Sequence, residues 1–551
     1  MSEERTTVRY SKLPSQGVIY GIDEAGFTTL VICALIAGAA VAGRGLIGLV
    51  IVAPVLVPLA VLAVGKLHGQ SFIVHILREV IGMARTLSGG TKYTQPRTQN
   101  LTPDAVPHVS TGAKGGAKRM KPTPVSVVDL PGQPGRLHLY AAPSGVVVWD
   151  AADRTATITC LVATPGMGTP QIGVPQTVSD EHREGMIWEW AKVLGSFTQK
   201  PHIVGISQIE HTRPGTAAHE RRDFNQSHTP KAAPTPAADS SLTPAADAPP
   251  AHWQTNTAAV ADAGDPAVAS YREALTLADA EVVMHVTQLS ITFTLTAEAR
   301  ALSKSHGGGP GGLIAFAEME MHTIAEALAG AGFTRARWMN AREWGAWARA
   351  IIDPASQAAI DTRIGTEWQG VDPVQSTPML VDDRRTHVET DSAFHRCYWV
   401  KEWPRYDTYP GFISRLVFAK QHGARPARHT FALLGAPMPQ GKAMKKIEDD
   451  KRTWNANAKL RQKTGKPDSA ADEAEWHDIV QHERDVVAGQ GELRFSAYIV
   501  VTALSREALE QESASILNAC AATGLEPRMV PWQQWEVLAN VAYPTGRGVS
   551  K

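Results

Sequence analysis

Two apolar runs without a charged residue lie near the start of the chain, one from Ala25 to Gly43 and one from Gly45 to Gly65, with Arg44 between them. Each run has about the 20 residues that a helix needs to cross the hydrocarbon core of a bilayer. A cleaved signal peptide has a single, shorter apolar region closer to the N-terminus. The pattern therefore predicts two membrane-spanning helices, with a buried hairpin of a soluble protein as the alternative.

The joint between the two runs, Gly43-Arg44-Gly45, is too short to hold a domain, so we expect a hairpin with both outer ends on one side. Basic residues are in excess at the outer ends, which places those ends and the large body in the cytoplasm by the positive-inside rule. The sequence thus predicts a protein of the cytoplasmic (inner) membrane. The flanking basic residues are Arg5, Arg9, Lys12, Lys66, Arg78, Arg85 and Lys92.

An amphipathic pattern follows the second run, because apolar residues recur at helical spacing from Phe72 to Leu87. This predicts a helix that lies on the membrane surface. Ser88 to Thr123 is rich in Gly, Pro and Thr and is expected to be a linker. Its basic cluster is a candidate for contact with anionic lipid headgroups, with a plain solvated linker as the alternative. The cluster consists of Lys114, Lys118, Arg119 and Lys121.

Strand patterns begin further on, where β-rich runs separated by turn residues predict an antiparallel meander. The runs are Leu137–Tyr140, Val146–Trp149 and Thr155–Val162. A helix over Asp180–Phe197 and a strand over His202–Ile209 complete a first α/β domain. From about Thr216 to Pro266 the Ala/Pro-rich composition cannot bury enough apolar surface to offset its ordering entropy, so this insert is expected to be disordered.

The rest of the chain alternates strand and helix patterns. A charged stretch, Lys442 to Ala488, predicts a projecting helical hairpin. The last pieces predict a β-α-β unit that is half of a ferredoxin-like fold. These pieces are Leu493–Ala503, Arg506–Ala522 and Glu526–Trp532.

The fold class expected from these patterns is α+β, with an N-terminal two-helix transmembrane hairpin and cytoplasmic α/β domains. The predicted divisions are a cytoplasmic tail (1–24), the hairpin (25–66), an amphipathic helix and basic linker (67–125), a first α/β domain (126–215), a Pro/Ala-rich insert (216–268), a second α/β domain (269–435), a charged helical hairpin (436–490) and a C-terminal β-α-β unit (491–551).

Composition narrows the class of function. The 551 residues carry no net charge, so the chain lacks the basic excess of a dedicated nucleic-acid binder. The four cysteines are far apart and are expected to be ordinary buried thiols. Because the sequence has no metal-ligand spacing, nucleophile elbow or dinucleotide fingerprint, we expect no catalytic residue, metal or cofactor.

One stretch resembles a phosphate loop, Gly435 to Ala443, but it departs from that pattern in three ways. Five residues instead of four separate Gly435 from Gly441, Ala443 replaces the hydroxyl that would hold magnesium, and two prolines remove backbone donors. We therefore interpret it as an ordinary connection between a strand and a helix.

The densest aromatic cluster, Tyr398 to Arg405, is the best candidate for binding a partner protein. Alternation along a strand puts Tyr398 and Val400 on one face and Trp399 on the other. Indoles beside an arginine are typical anchors of interfaces, although these aromatics can equally pack beneath adjoining helices. The candidate partner-binding residues are Trp399, Glu402, Trp403 and Arg405.

Several stretches resemble a family of actinobacterial membrane proteins encoded with conjugative type IV secretion machinery, in which a PrgI-like two-span hairpin precedes a cytoplasmic body. The tryptophan-rich stretch is the most specific, and the Pro/Ala-rich insert has no counterpart. The matching stretches are Gly21-Ile22-Asp23-Glu24-Ala25-Gly26, Leu130-Pro131-Gly132, Ser144-Gly145-Val146-Val147-Val148, Thr390-Asp391-Ser392, Tyr398-Trp399-Val400-Lys401-Glu402-Trp403-Pro404-Arg405 and Glu492-Leu493-Arg494-Phe495-Ser496-Ala497-Tyr498.

The resemblance implies a body similar to the N-terminal, non-ATPase region of conjugative secretion ATPases. It predicts a non-enzymatic subunit of a large hetero-oligomer whose partners are the membrane, a separate P-loop secretion ATPase and a multi-span channel protein. Sequence-specific nucleic-acid binding is not expected. Two alternatives are a type VII secretion subunit resembling the EccE family and a membrane-anchored enzyme with a non-standard nucleotide site.

Overall fold

The fold is described by a computed structural model that covers residues 24–548, with gaps at 68–69, 95–121, 163–179, 216–265, 267, 272, 275–282, 334–335, 405, 407, 409–411, 418, 420–426, 464, 466–468 and 489–490. Several predictions fall outside these residues. They are residues 1–23 of the predicted cytoplasmic tail (1–24), the basic cluster Lys114, Lys118, Arg119 and Lys121, most of the Pro/Ala-rich insert, and Arg405.

The described chain is an α+β protein in which all strands but the first two form one large antiparallel sheet, and the first two pair with each other. The helices, numbered in chain order, are α1 Glu24–Val64, α2 Phe72–Leu87, α3 Asp180–Thr198, α4 Ala297–Ser305, α5 Gly309–Gly330, α6 Ala341–Ile352, α7 Gln357–Asp361, α8 Ser414–Val417, α9 Gln440–Lys463, α10 Ala470–Val487, α11 Arg506–Thr523 and α12 Gln534–Val537.

The strands are also numbered in chain order. They are β1 Lys66–Leu67, β2 Gln70–Ser71, β3 Lys92–Thr94, β4 Ser126–Val128, β5 Leu137–Ala141, β6 Val146–Asp150, β7 Thr155–Val162, β8 Ile203–Pro214, β9 Val283–Thr294, β10 Ala336–Trp338, β11 Leu380–Asp383, β12 Val388–Glu389, β13 Phe394–Glu402, β14 His429–Met438, β15 Glu492–Ala503 and β16 Glu526–Met529.

The strands are arranged in an equivalent order whether the sheet is followed from one edge or from the other. Its order is β3-β11-β12-β13-β15-β14-β8-β9-β7-β6-β5-β4, with β10 added to β7 and β16 added to β13. The strands β4 to β10 form a first unit, and β3 with β11 to β16 form a second unit. The units meet where β8 pairs with β14, so the molecule is an internal duplication about a pseudo-twofold axis at that seam.

A row of cross-strand neighbours demonstrates the duplication residue by residue. From the seam outward, the row in the first unit is Ile209, Gln288, Leu161 and Arg337. The matching row in the second unit is Ala432, Tyr498, Trp399 and Arg528. Since Ile209 and Ala432 face each other across the seam, the pseudo-twofold axis passes between these two residues.

Backbone hydrogen bonds repeat in the same places. The β5–β6 turn is closed by the Ala142 N–H on the Gly145 carbonyl (2.8 Å), and the β11–β12 turn by Arg384 on His387 (2.9 Å). After the last strand of each unit, Met339 N–H donates to the Thr159 carbonyl and Val530 N–H donates to the Cys397 carbonyl. The two units therefore share their local geometry as well as their strand order.

Three apolar cores cover the two faces of the sheet. On one face, α3 and α5 pack on the first unit and α11 packs on the second, each around its own buried cluster. On the other face, a single core spans both units and contains Ile209, Ala432, Trp344 and Trp535. Because this shared core crosses the seam, its burial of apolar surface holds the two units together.

Helix α1 is long and apolar, and it is interrupted in its middle. Arg44 (φ −135°, ψ 15°) and Gly45 (φ +61°) are not helical, and Pro54 and Pro58 lie in the second part. It is the one helix of the described chain that is long and apolar enough to cross a membrane, with a mean hydropathy of 2.8 and 17% burial in its most apolar stretch.

Most predicted elements are present, with differences at their ends. The meander, the helix of α3, the charged hairpin of α9 and α10, and the helix of α11 with Gly524 as its left-handed C-cap (φ +74°) all appear. The strand predicted to end at Trp532 ends at Met529 instead. The four cysteines are buried free thiols, as expected.

The predicted division at 215 and 269 is not a division of the sheet. Strands β8 and β9, which flank the Pro/Ala-rich insert, are paired over eleven positions from Ile203–Phe293 to Pro214–Val283. The predicted boundary at 435 likewise falls within β14, and the one at 491 falls directly before β15, the strand that pairs with β14. The Pro/Ala-rich insert therefore connects β8 and β9 of the first unit, and the charged hairpin connects the corresponding strands, β14 and β15, of the second unit.

Candidate functional site

The aromatic cluster predicted to bind a partner lies at the end of β13. Tyr398 and Val400 are buried in the core beneath α11, while Trp399 between them is half-buried. The predicted alternation of faces is therefore confirmed for these strand residues. A bulge follows between Val400 and Glu402, which ends the regular pairing with β16.

Beyond the bulge, Trp403 connects the core to the surface. It packs partly against the core of the second unit, and its ring meets that of Phe495 edge-on, with centroids 5.4 Å apart and an interplanar angle of 85°. Phe495 is 41% exposed. Glu402 lies 3.2 Å from Lys401, its neighbour along the strand. Trp403 and Phe495 thus form a partly exposed aromatic patch, while alternation puts Trp399 on the face of the strand opposite to Tyr398 and Val400.

The stretch that resembles a phosphate loop has no loop in it. Gly435 to Met438 continue β14, and Gly435 pairs with Phe495 of β15. Only Pro439 separates this strand from α9, whose first turn contains Lys442. Backbone N–H groups committed to a sheet cannot wrap around a phosphate, so the geometry differs from a phosphate loop as the sequence does.

A second candidate site is the contact between α2 and the second unit, which sequence reasoning missed. The carboxylate of Glu79 accepts hydrogen bonds from the Arg385 guanidinium (2.7 Å) and from the indole N–H of Trp532 (2.8 Å). The Arg385 guanidinium holds the pKa of Glu79 below its usual range. Further along α2, Arg85 lies 3.7 Å from Asp383.

Trp532 adopts an unusual backbone conformation at this contact. Its φ is +62°, a left-handed value that is rare for a bulky residue and costs on the order of 1–3 kcal/mol. Its backbone N–H donates to the Arg385 carbonyl (3.2 Å), and its ring lies against Gly82, where any side chain would collide with the indole. Gly82 is therefore required for the close approach of α2.

The contact uses the polar side of α2 and leaves the apolar side outward. Glu79, Gly82 and Arg85 face the body, and Gly82 is the buried residue of the helix. On the opposite side, a row of large apolar side chains is about half exposed or more. These are Ile76 (48%), Leu77 (56%), Val80 (56%), Ile81 (50%), Met83 (55%) and Leu87 (89%).

The seam between the units holds a third cluster, which is buried and polar. Glu210 accepts hydrogen bonds from His285 (2.9 Å), Thr287 (2.6 Å) and Gln208 (2.8 Å). Burial alone would raise the pKa of Glu210, but these hydrogen bonds outweigh burial and hold it below its usual range. Because the protein itself satisfies this carboxylate, we assign the cluster a structural role.

Buried histidines near the seam are also structural. Burial lowers the pKa of His211 and of His395 to about 3, so both rings are neutral at physiological pH. His211 stacks on Trp347 (5.2 Å), and His395 bridges the Thr390 and Thr502 hydroxyls (2.8 and 2.9 Å). Within the described residues, no group of three or more His, Cys, Asp or Glu side chains is arranged to hold a metal ion.

A scan against models of known protein families finds no match for the chain, and a search of curated proteins finds no matching sequence. The assignment of function therefore depends on the geometry of the chain itself and on the resemblance given above.

Proposed function

We propose that the chain is a non-enzymatic subunit of a conjugative type IV secretion apparatus, anchored in the cytoplasmic membrane, which holds a separate secretion ATPase at the channel. The observation that carries this proposal is the connection between α1 and the body. An apolar, largely exposed helix is joined through β1 and β2 to α2, and α2 is clamped to the sheet by Glu79 and Trp532. Such an anchor positions the body and needs no chemistry of its own.

The interruption of α1 supports two spans rather than one. In a straight helix, residues eight apart are separated by about 12 Å along the axis. A side chain on Gly48 would nevertheless collide with the Ala40 carbonyl, and Arg44 and Gly45 between these two residues are not helical. This supports the proposed hairpin, with Arg44 at its tip and both outer ends in the cytoplasm.

The architecture of the body supports a docking role. Within each unit, the order β-α-β-β-α-β, with the last strand beside the first, supports our proposal of a ferredoxin-like unit in each. Two such units fused in one sheet present large, rigid surfaces. The Trp403–Phe495 patch offers the partly exposed aromatics that concentrate binding energy in interfaces, so we propose it as the contact with the ATPase.

Two measurements test the proposal separately. Alkaline carbonate extraction of membranes should leave the full-length protein in the pellet, and release into the supernatant would contradict the anchor. Affinity purification from mild detergent with mass spectrometry should recover a P-loop ATPase and a multi-span channel protein, while the pure chain turns over no ATP. Recovery of small helical-hairpin substrates instead would favour the type VII alternative, and ATP turnover lost in Lys442→Ala would favour an enzyme.

A further inference from the structure

The polar face of α2 is the face that the body binds, which is the reverse of an ordinary surface helix. In a soluble protein the apolar stripe of an amphipathic helix packs on the core and its polar side faces water. Here the core contact is made by Glu79, Gly82 and Arg85, while the six apolar side chains from Ile76 to Leu87 point away. This outward stripe needs an apolar environment supplied from outside the body.

We propose that α2 lies in the interface of a lipid bilayer with this stripe toward the acyl chains, and that Trp532 holds the second unit at a set angle to the membrane. The inference rests on the proposed membrane anchor and adds to it a second lipid contact and the residue that transmits orientation. The occupant of the apolar stripe is thus lipid rather than another protein.

Continuity with α1 argues for lipid. Helix α1 ends at Val64, and the next residue, Gly65, lies directly against the ring of Phe72, the first residue of α2. The backbone N–H of Phe72 also donates to the Gly65 carbonyl (2.9 Å). The start of α2 is therefore held at the level where the apolar helix leaves the hydrocarbon, which is the depth of an interfacial helix.

The charges of α2 fit the same position. Arg78 lies on the polar side of the helix next to Glu79, where its long cationic side chain reaches the headgroups, whereas Arg85 faces Asp383 of the body (3.7 Å). The helix spans about 24 Å over its 16 residues, which is enough for a stable interfacial contact. A stripe of six apolar residues opposite a polar side that carries arginines is typical of interfacial helices.

Trp532 is the positioning residue of this arrangement. It combines a strained left-handed φ with three contacts to other segments: its N–H to Arg385, its indole N–H to Glu79 and its ring to Gly82. In the first unit the corresponding position, three residues after the last strand, is Ala341, which has no such ring. The contact with α2 is therefore made by the second unit and has no equivalent at Ala341 in the first. This asymmetry determines which side of the duplicated sheet faces the membrane.

Spin labels on the full-length protein in nanodiscs test the lipid contact. Labels at Ile76, Val80 and Leu87 should be more accessible to oxygen than to a water-soluble nickel chelate, and labels at Arg78 and at Lys445 on α9 should show the reverse. Chelate access at the three stripe positions, or shielding from both reagents, would overturn the proposal. A label at Val50 in α1 separates the α1 anchor from the α2 lipid contact. If the Val50 label lies in lipid and the α2 labels lie in water, the anchor is supported and the lipid contact of α2 is overturned.

Paired labels at Val80 and Arg494 test Trp532. Their distance distribution should be narrow in the parent and broaden at least twofold in Trp532→Gly, although glycine relieves the left-handed strain and should leave the unfolding midpoint of the body unchanged. Glu79→Gln should broaden it to a smaller extent, which keeps the test valid if Trp532→Gly folds poorly. Ala341→Gly is the matched control and should have no effect. An unchanged width in both variants would overturn the role of Trp532.

Discussion

Trp344 and Trp535 are counterparts in the two units, each placed six residues after the last strand of its unit. Both are buried in the core that crosses the seam, and each donates its indole N–H to a proline carbonyl, Trp344 to Pro544 (2.9 Å) and Trp535 to Pro131 (2.6 Å). The duplication thus preserves a buried indole donor, although the two acceptors are not counterparts, since Pro544 follows α12 and Pro131 follows β4.

Replacing either indole should therefore have a similar cost. We expect Trp344→Phe and Trp535→Phe each to lower the free energy of unfolding by about 2–4 kcal/mol, because each leaves a buried carbonyl without its donor and creates a cavity. Urea unfolding in detergent measures this. Trp368→Phe, at a side chain that is 50% exposed, is the control and should change stability by less than about 0.5 kcal/mol. A large difference between the two buried sites would argue against their equivalence.

Glu512 should make the protein less stable at high pH. Burial raises the pKa of this carboxyl to about 7, although Arg428 nearby opposes the shift. An acid with a raised folded pKa is protonated more readily in the folded state, so stability is lost as the pH rises from about 4.5 through 7. Glu512→Gln should be more stable than the parent by about 1–2 kcal/mol at pH 8.5 and equal to it at pH 4.5. Glu507→Gln on the first turn of α11, which faces solvent, provides the control; equal gains at both pH values would contradict the prediction.

The buried histidines should act in the opposite direction. Burial lowers the pKa of His211 and His395 to about 3 and that of His429 to about 4. The unfolded chain binds these protons near pH 6.5 and the folded chain does not, so stability falls as the pH decreases below 6.5. The raised pKa of Asp383, about 6, offsets part of this loss.

His395→Asn isolates one contribution. The slope of the unfolding free energy against pH between 6.5 and 4.5 should decrease by up to about 1.4 kcal/mol per pH unit relative to the parent. Thermal unfolding at a series of pH values gives the slope, and His477→Asn on the exposed part of α10 serves as the control. A slope identical to that of the parent would show that His395 is not kept neutral by burial.

Cysteine accessibility should locate the tip of the hairpin that we propose for α1. In inverted membrane vesicles, whose cytoplasmic face is outward, a membrane-impermeant maleimide should label Lys445→Cys directly but Arg44→Cys only after the vesicles are opened. The four native cysteines are buried and should contribute little background. Labelling of Arg44→Cys in sealed inverted vesicles would place the break in α1 on the cytoplasmic side and contradict the hairpin.

The aromatic patch should contribute to recovery of the ATPase. Trp403→Ala and Phe495→Ala should each reduce the co-purified ATPase at least fivefold, since removing an interface anchor costs roughly 1–2 kcal/mol or more. Circular dichroism should confirm that both variants fold. Leu504→Ala, at an apolar residue that is 60% exposed elsewhere on the second unit, is the matched control. Undiminished recovery in both variants would move the partner surface elsewhere.

Local patterns in the sequence predict the individual elements well. The meander from Leu137, the charged hairpin and the helix ended by Gly524 follow from alternation, helical spacing and a glycine cap, which depend only on neighbouring residues. The duplication is not visible in this way. The row through Ile209 and Ala432 contains different residues in each unit. For example, Gln288 in the first unit corresponds to Tyr498 in the second, so packing preserves the geometry without preserving the residue types.

The contact between α2 and the body illustrates a second limit. Glu79 and Trp532 are 453 residues apart, and neither is part of a recognisable motif. The amphipathic pattern of α2 identifies an apolar stripe and predicts a helix on the membrane surface, but it does not show that the polar side docks on the body. The small Gly82 within the polar side was the one available signal that something packs closely there.

The pseudo-twofold axis has a consequence for the two inserted segments. Since β8 and β14 run antiparallel across the seam, the connection after β8 leaves the sheet at one end and the α9–α10 hairpin leaves it at the other. A symmetric homodimer of a single unit would carry the same appendage at both ends. With both units in one chain that constraint is absent, so each end of the sheet carries a different segment while the shared sheet stays intact.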